Sequence, residues 1–403
     1  MTLLPCRCVN LSAVAMFDGA RDRTNRSQVS WCWKSRNASE MLENVLEGSC
    51  SSGELLCGSL TSSSENLARP ITSIDFTCDS PTPQKMATVI VFGPTGHVGS
   101  AVALSAHEFG IQKVVLAMRD TTKAIRGLAP EIEKSRAFQR VQADLLDTET
   151  VAVAVKSTGA TRAFLYQNFT SPDNLLELIK TLKSSGIEFV VFLSSASISP
   201  GTDLQTISPV TDPIAFGHAQ VELNLLSVYG KDGFASVRPA FFATNANLWW
   251  GKMLAAGRVR LYGADVKVDW ITPEDIGRVS AAILSRRGLL SADEGGAVWL
   301  VGPQQVSIRD GLQAISKAMS GKEVEIEDLD VPDGVQALAE TGIPAPVATH
   351  LVETFKASGV DGPVWFPVAY AWDKAAGIVE AYTGTPATKL GDWIEKHKAE
   401  FRV

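Results

Sequence analysis

The sequence predicts an α/β protein built on a doubly wound parallel sheet, and three observations carry that prediction. From Met86 onward, short apolar runs rich in β-branched residues alternate with helical stretches, the pattern of a sheet covered on both faces. The first run, Thr88-Val89-Ile90-Val91-Phe92, breaks into Gly93-Pro94-Thr95-Gly96-His97-Val98-Gly99 and continues as a small-residue stretch, reading as strand, tight turn and helix start. A second strand then ends about 20 residues past the glycines, the spacing of a dinucleotide site. In such a corner Gly93 leaves the strand, Gly96 lets the main chain approach a pyrophosphate, and Gly99 lets the helix pack on the strand. The helix N-terminus offers unpaired N–H groups and partial positive charge to the phosphates.

The remaining elements follow in order. The first helix is expected from about Gly99 to Phe109, stopped by Gly110. Strands are expected at Lys113 to Met118, Phe138 to Gln142 and Arg162 to Tyr166, with an apolar helix at Thr148 to Val155 between the last two. The next helix is expected from Pro172 to Ser185: Ser171 is its N-cap, Pro172 its first residue, Leu175, Leu176, Ile179 and Leu182 its apolar face, and Gly186 its stop. Ile187 to Leu193 is nearly all apolar, which implies a buried central strand. Later, Ala297 to Val301 reads as a strand, Ser307 as the N-cap of a helix to about Ser320, and Val324 to Ile326 as a short strand. Gly342 to Pro346 reads as a loop with a gating role.

Composition narrows the function. The chain has 403 residues, 45% of them hydrophobic, enough for one large core or two unequal ones. A net charge of −7 leaves no basic surface for nucleic acid, and no run approaches the ~18 uncharged apolar residues of a membrane span. All six cysteines (Cys6, Cys8, Cys32, Cys50, Cys57, Cys78) precede Met86, so the part after it has neither a disulfide framework nor a thiolate metal site and suits a reducing, cytoplasmic setting. The five histidines (His97, His107, His218, His350, His397) show no metal-ligand spacing, and no metal is expected.

Residues 1–85 are Ser-rich and without period. A disordered extension, a targeting segment and a misassigned start compete here. The apolar stretch near Leu11 to Phe17 is too short for a signal core, and Asp18, Asp22 and Glu40 weaken a transit peptide, so Met86 is the expected functional start. Glycosylation sequons at Asn10, Asn25, Asn37 and Asn168 are read as chance, since the last falls in the cofactor cleft.

The end of the second strand selects the cofactor. An acid there binds the ribose 2′-hydroxyl of NAD, whereas an arginine accommodates the 2′-phosphate of NADP. The chain reads Met118-Arg119-Asp120, with Lys123 a turn later, which favours NADP over NAD; the competing reading pairs a solvated Arg119 with Asp120. Asp144 and Leu145, after the third strand, are expected at the adenine, with a turn or helix-cap role the competing reading for Asp144, and Gln167 and Asn168, after the fourth, at the same edge.

Taken together, Gly93 to Gly99, Met118-Arg119, Gln142-Ala143-Asp144, Leu193-Ser194-Ser195, Arg238-Pro239-Ala240-Phe241-Phe242 and Trp270-Ile271-Thr272-Pro273-Glu274-Asp275-Ile276-Gly277 resemble the NmrA-like family, atypical relatives of the short-chain dehydrogenases. The resemblance runs from Met86 to Val403 and includes Tyr382-Thr383-Gly384 and Trp393. It implies an NADP-binding Rossmann domain at 86–240 and a smaller α+β substrate-side region at 241–403, interleaved with the last strands of the first. It is strongest toward fungal oxidoreductases of secondary metabolism, while other members are redox-responsive regulators.

The expected chemistry is incomplete. Short-chain dehydrogenases pair a Tyr with a Lys four residues on, so that the ammonium lowers the phenol pKa. Here the corresponding stretch is Phe216-Gly217-His218-Ala219-Gln220, with neither group. Tyr370-Ala371-Trp372-Asp373-Lys374 has the spacing but lies far downstream. His218, whose ordinary pKa is about 6.5, is the weak candidate acid, outweighed by a structural histidine; Gln220 is expected to hydrogen-bond the cofactor. Ser194 and Ser195 have no convincing base and read as strand-end caps. Phe241, Phe242, Trp249, Trp250 and Trp365-Phe366 mark the substrate side, mostly as core, and any pocket there suits a flat, apolar substrate. Two classes stay open: an NADPH-dependent reductase of an apolar small molecule, and a non-catalytic NADP(H) sensor acting on protein partners.

Overall fold

In the computed structural model the described residues are 28–29, 60–61, 87–135, 137–285, 296–359 and 372–401. The chain divides into two compact units, Met1–Pro83 and Gln84–Val403. In the first, Gln28–Val29 pairs antiparallel with Leu60–Thr61. The six cysteines, Trp365-Phe366 and Tyr370 of the downstream pair lie outside the described residues.

In the second unit the strands begin with β1 (Thr88–Phe92), β2 (Lys113–Met118), β3 (Ala137–Gln142), β4 (Arg162–Tyr166), β5 (Phe189–Leu193) and β6 (Phe234–Pro239). After β7 (Arg258–Leu261) and β8 (Lys267–Val268) come β9 (Ala297–Leu300), β10 (Val306–Ser307) and β11 (Glu325–Asp328). Seven of them form one parallel sheet in the order β9-β6-β5-β4-β1-β2-β3. The chain moves outward from β1 through β2 to β3, then returns to β1's other edge with β4. The order therefore reverses at β1, and a crevice opens beyond the carboxyl ends of β1, β2 and β4. Outside this sheet, β7 pairs parallel with β11, and β8 antiparallel with β10.

Strand alternation builds the two apolar layers. Val89 and Val91 face α1 (His97–Ser105) and α7 (Pro273–Ser285), burying Val102, Ile276, Val279 and Ile283. Ile90 and Phe92 face α3 (Thr148–Thr158), α4 (Leu176–Ser185) and α5 (Pro213–Tyr229), with Val151, Ile179, Leu182 and Leu225 buried there. Helix α2 is Pro130–Ser135. The contact of α1 with α7 is close enough that a Cβ on Gly277 would lie 2.4 Å from that of Ala101. A third core gathers Phe241, Trp249, Trp250 and Trp270 with Leu312, Leu351 and Phe355, drawn from α6 (Asn245–Ala256), α8 (Ile308–Ser320) and, beyond α9 (Val331–Glu340), α10 (Ala345–Ser358). Phe241, Trp249, Trp250 and Trp270 interlock edge to face, so these aromatics fill a core. The chain closes with α11 (Trp372–Ala376), α12 (Ile378–Thr383) and α13 (Leu390–His397).

Four expectations need correction. The first helix begins at His97, with Gly96 as N-cap, and gives way to turns after Ser105, well before Gly110. The helix expected from Pro172 begins at Leu176, because Asn174 and Leu175 are left-handed at φ 51° and 65°. Ser171 accepts from the Leu175 N–H at 2.9 Å and Asp173 from the Glu177 N–H at 2.9 Å, so the capping side chains close the preceding turn; Leu178, in place of Leu176, joins the buried face. The fifth strand starts at Phe189, two residues late. Ala345 and Pro346 open α10 instead of extending a loop, proline being suited to a first turn. Ser307 does cap α8, accepting from the Asp310 N–H at 3.0 Å.

Candidate functional site

The crevice at the carboxyl ends of β1, β2 and β4 holds a cleft of about 370 Å³. Phe92, Gly93 and Thr95 come from the glycine corner, Ala117, Met118 and Arg119 from β2, Ala143 to Leu146 from β3, and Tyr166, Asn168 and Thr170 from β4 and its loop. Gly93 has φ +67°, and its N–H is held by the Ala117 carbonyl at 3.3 Å. A Cβ on Gly99 would stand 2.2 Å from the Gly93 carbonyl oxygen, so the helix can meet the corner only as glycine. Pro94, Val98 and Gly99 are buried behind this turn, while Gly96 and His97 are exposed beside it. Although exposed in part, His97 is held below the usual histidine range, first by partial desolvation and then by Arg126; Glu274 pulls the other way.

Arg119 is exposed at the cleft and makes no hydrogen bond or ion pair with another described residue. Asp120, its expected rival partner, instead accepts from the Thr122 N–H at 2.9 Å and its hydroxyl at 2.6 Å, which holds that carboxyl below the usual range. Lys123 lies outside the cleft lining, where its carbonyl accepts from Arg140 at 2.7 Å. Asp144 borders the cleft and accepts from the Leu146 N–H at 3.0 Å. Asn168 accepts from the Thr170 N–H and hydroxyl at 3.1 and 2.7 Å. Gln167 is not part of this lining: its amide donates to the Gly217 carbonyl at 3.0 Å, and its buried oxygen has no hydrogen-bond partner among the described residues.

Tyr166 is a lining residue that the strand pattern conceals, since it reads as the last residue of β4. Its ring covers the corner: a Cβ on Gly93 would approach the Tyr166 ring to 2.6 Å. Burial raises the phenol pKa, while Arg119 pulls it down.

The helix bearing Phe216 to Gln220 is α5. Neither His218 nor Gln220 lines the cleft. The His218 Nδ1–H donates to the Ile214 carbonyl at 2.8 Å, and its ring rests against Phe169 and Phe192 at centroid distances of 5.5 and 6.2 Å. Burial holds it below the usual histidine range. Ser194 is not a strand cap. Its hydroxyl donates to Glu222 Oε1 at 2.6 Å, and Arg238 grips the same carboxylate from Nε and Nη2 at 3.0 and 2.5 Å while lying 4.8 Å over the Trp299 ring. Sequence spacing conceals this buried triad because its members come from β5, α5 and β6. Asp269 accepts from the Phe241 N–H at 2.8 Å and the Gly302 N–H at 2.9 Å, and burial pushes its carboxyl up to about 7 against those donors.

A seven-stranded parallel sheet, reversed at β1 and carrying a glycine corner at that reversal, defines the Rossmann-like class. No protein-family model matches the chain. It is 35% identical over 321 residues, 76% of this chain and 95% of the relative, to the nitrogen metabolite regulation-like protein bik4 of Gibberella fujikuroi. The chain belongs to the NmrA-like family. Solved structures with the same fold include the NADPH-dependent quinone oxidoreductase of Escherichia coli complexed with NADPH, at TM-score 0.56, 20% identity and coverage of 77% of this chain and 99% of that one. Another is the triphenylmethane reductase of Citrobacter sp. complexed with NADP(H), at TM-score 0.54, 16% identity and coverage of 77% and 100%. Among the described residues no helix is long and apolar enough to cross a membrane.

Proposed function

We propose that the chain binds NADP(H) in the cleft at the β1 reversal and acts as an oxidoreductase on an apolar small molecule, in a fungal secondary-metabolite pathway. The observation that carries this reading is Arg119, a guanidinium with no hydrogen-bond or ion-pair partner among the described residues, at the end of β2 on the wall of a cleft whose floor is a glycine corner. The group fits: Gly93 and Gly99 let the turn close tightly on Tyr166 and on the start of α1, the exposed Gly96 puts no side chain on its outer face, and the first N–H groups of α1 open beside them. Gly93 to Gly99 would hold the pyrophosphate, Arg119 the 2′-phosphate, and Asp144, Leu145 and Asn168 the adenosine. A nicotinamide bound here supplies or accepts the hydride. The protein's part is orientation and exclusion of water, effects that lower a barrier by several kcal/mol without a dedicated acid. The solved relatives of this fold that bind NADPH or NADP(H) support the assignment.

A second reading, an NADP(H) sensor acting on protein partners, is favoured by one observation. Phe216 and Gln220 occupy the helix where a Tyr and Lys would do the chemistry, and His218 beside them has its Nδ1 proton committed to Ile214. The relative named for nitrogen metabolite regulation fits this reading as well. The purified chain, mixed with NADPH and extracts of its producing organism, decides between them. Oxidation of NADPH supports the reductase, tight binding without oxidation supports the sensor, and failure to bind NADPH removes both.

A further inference from the structure

The walls of the cleft come from opposite sides of β1. Arg119 follows β2, which pairs with β1 on one edge, and Tyr166 ends β4, which pairs on the other. The Tyr166 ring crosses Gly93 between them and lines the cleft, one side of it packed on the core, and its hydroxyl is not among the buried polar atoms left without a partner. That hydroxyl makes no hydrogen bond with another described residue. A phenylalanine would pack on Gly93 equally well, so the oxygen has no structural task to explain it. Lys123, the second cation expected beside Arg119, is outside the lining. The remaining charged group facing the phenol is Asp144, on the β3 side, which suits ribose hydroxyls and repels a phosphate.

We propose that the Tyr166 hydroxyl is the second donor to the 2′-phosphate of the cofactor, facing Arg119 across the cleft, so that one cation and one neutral O–H together select the phosphorylated adenosine. The inference rests on the cleft being the NADP(H) site. Arg119 supplies charge, and the phenol adds a directional O–H bond to an anionic oxygen, the stronger kind of hydrogen bond. Asp144 sets the polarity: phosphate lies toward Arg119 and Tyr166, ribose toward the carboxylate.

The test is Tyr166→Phe in the full chain, which keeps the ring on Gly93, with dissociation constants measured by calorimetry for NADPH, NADH, 2′,5′-ADP and ADP. The variant is expected to bind NADPH and 2′,5′-ADP about tenfold more weakly, the worth of one hydrogen bond to a charged group, with NADH and ADP unchanged. Unaltered NADPH affinity, or equal weakening of NADPH and NADH, overturns the inference while the cofactor site stands. Wild-type protein that binds none of the four ligands removes the cofactor site itself, and this inference with it. A thermal midpoint matching wild type shows that the change acts on the ligand and not on the fold.

Discussion

Replacing Arg119 with alanine should change cofactor choice and leave the fold alone. The guanidinium is exposed, bonded to no described residue, and Asp120 is already satisfied by Thr122, so truncation leaves no buried group unpaired. The loss is confined to the contact with the 2′-phosphate. Charge-assisted hydrogen bonds of this kind are worth about 1.5–3 kcal/mol, which at 1.4 kcal/mol per decade is a loss of roughly 10- to 150-fold in NADPH affinity. NADH lacks the phosphate and should bind the variant as it binds wild type. Because the site is open to solvent, the wild-type preference for NADPH should also shrink as salt is raised from about 0.01 M to 1 M, where the screening length falls from about 30 to 3 Å. Fluorescence titration of both proteins with both cofactors at two salt concentrations measures all of this. Equal losses for NADPH and NADH, or a salt-independent preference, would refute the reasoning.

Glu222→Gln should destabilise the protein by about 3–5 kcal/mol in urea unfolding, because it strands the buried Arg238 charge and weakens the acceptor of Ser194; an unchanged midpoint would contradict the triad. His218 titrates below its ordinary value when folded, so the unfolded chain takes up the proton first as pH falls. Its contribution to stability is therefore full above about pH 6.5 and is lost as acid is added, and His218→Asn should flatten that part of the urea-midpoint profile; identical profiles would count against a buried neutral ring. Deleting residues 1–85 should leave folding and NADPH binding intact, and a loss of soluble protein on gel filtration would show that the extension is needed.

Much of the sheet was legible because its strands are short apolar runs whose ends are marked by Gly or polar residues. The bounds of β1, β2 and β4 agree with the expected ones. Helix starts were less legible where a distant contact decides them. Asn224 of α5 donates to the Asp173 and Asn174 carbonyls at 3.2 and 3.0 Å, and no local rule announces that the following helix therefore waits until Leu176. In the candidate site, Gly93, Thr95, Arg119, Asp144, Leu145 and Asn168 were legible from strand-end position and all line the cleft. Tyr166 was not, since an aromatic residue closing a strand looks like core. Lys123 misleads because its distance from Arg119 suits one turn of a helix, whereas the segment forms non-helical turns and Lys123 stays out of the cleft lining.

Asp269 carries a consequence for how this scaffold can diversify. Its oxygens take main-chain N–H groups from Phe241 after β6 and from Gly302 after β9, so as a donor position 241 could carry any residue but proline, yet its buried ring is locked between Trp249 and Trp270 in the third core. Position 302 has no such freedom, since any Cβ there would fall 2.0 Å from the Asp269 carbonyl oxygen. Both sides of that junction are therefore constrained, one by aromatic packing and the other by backbone contact, and sequence change in descendants of this chain should spare it.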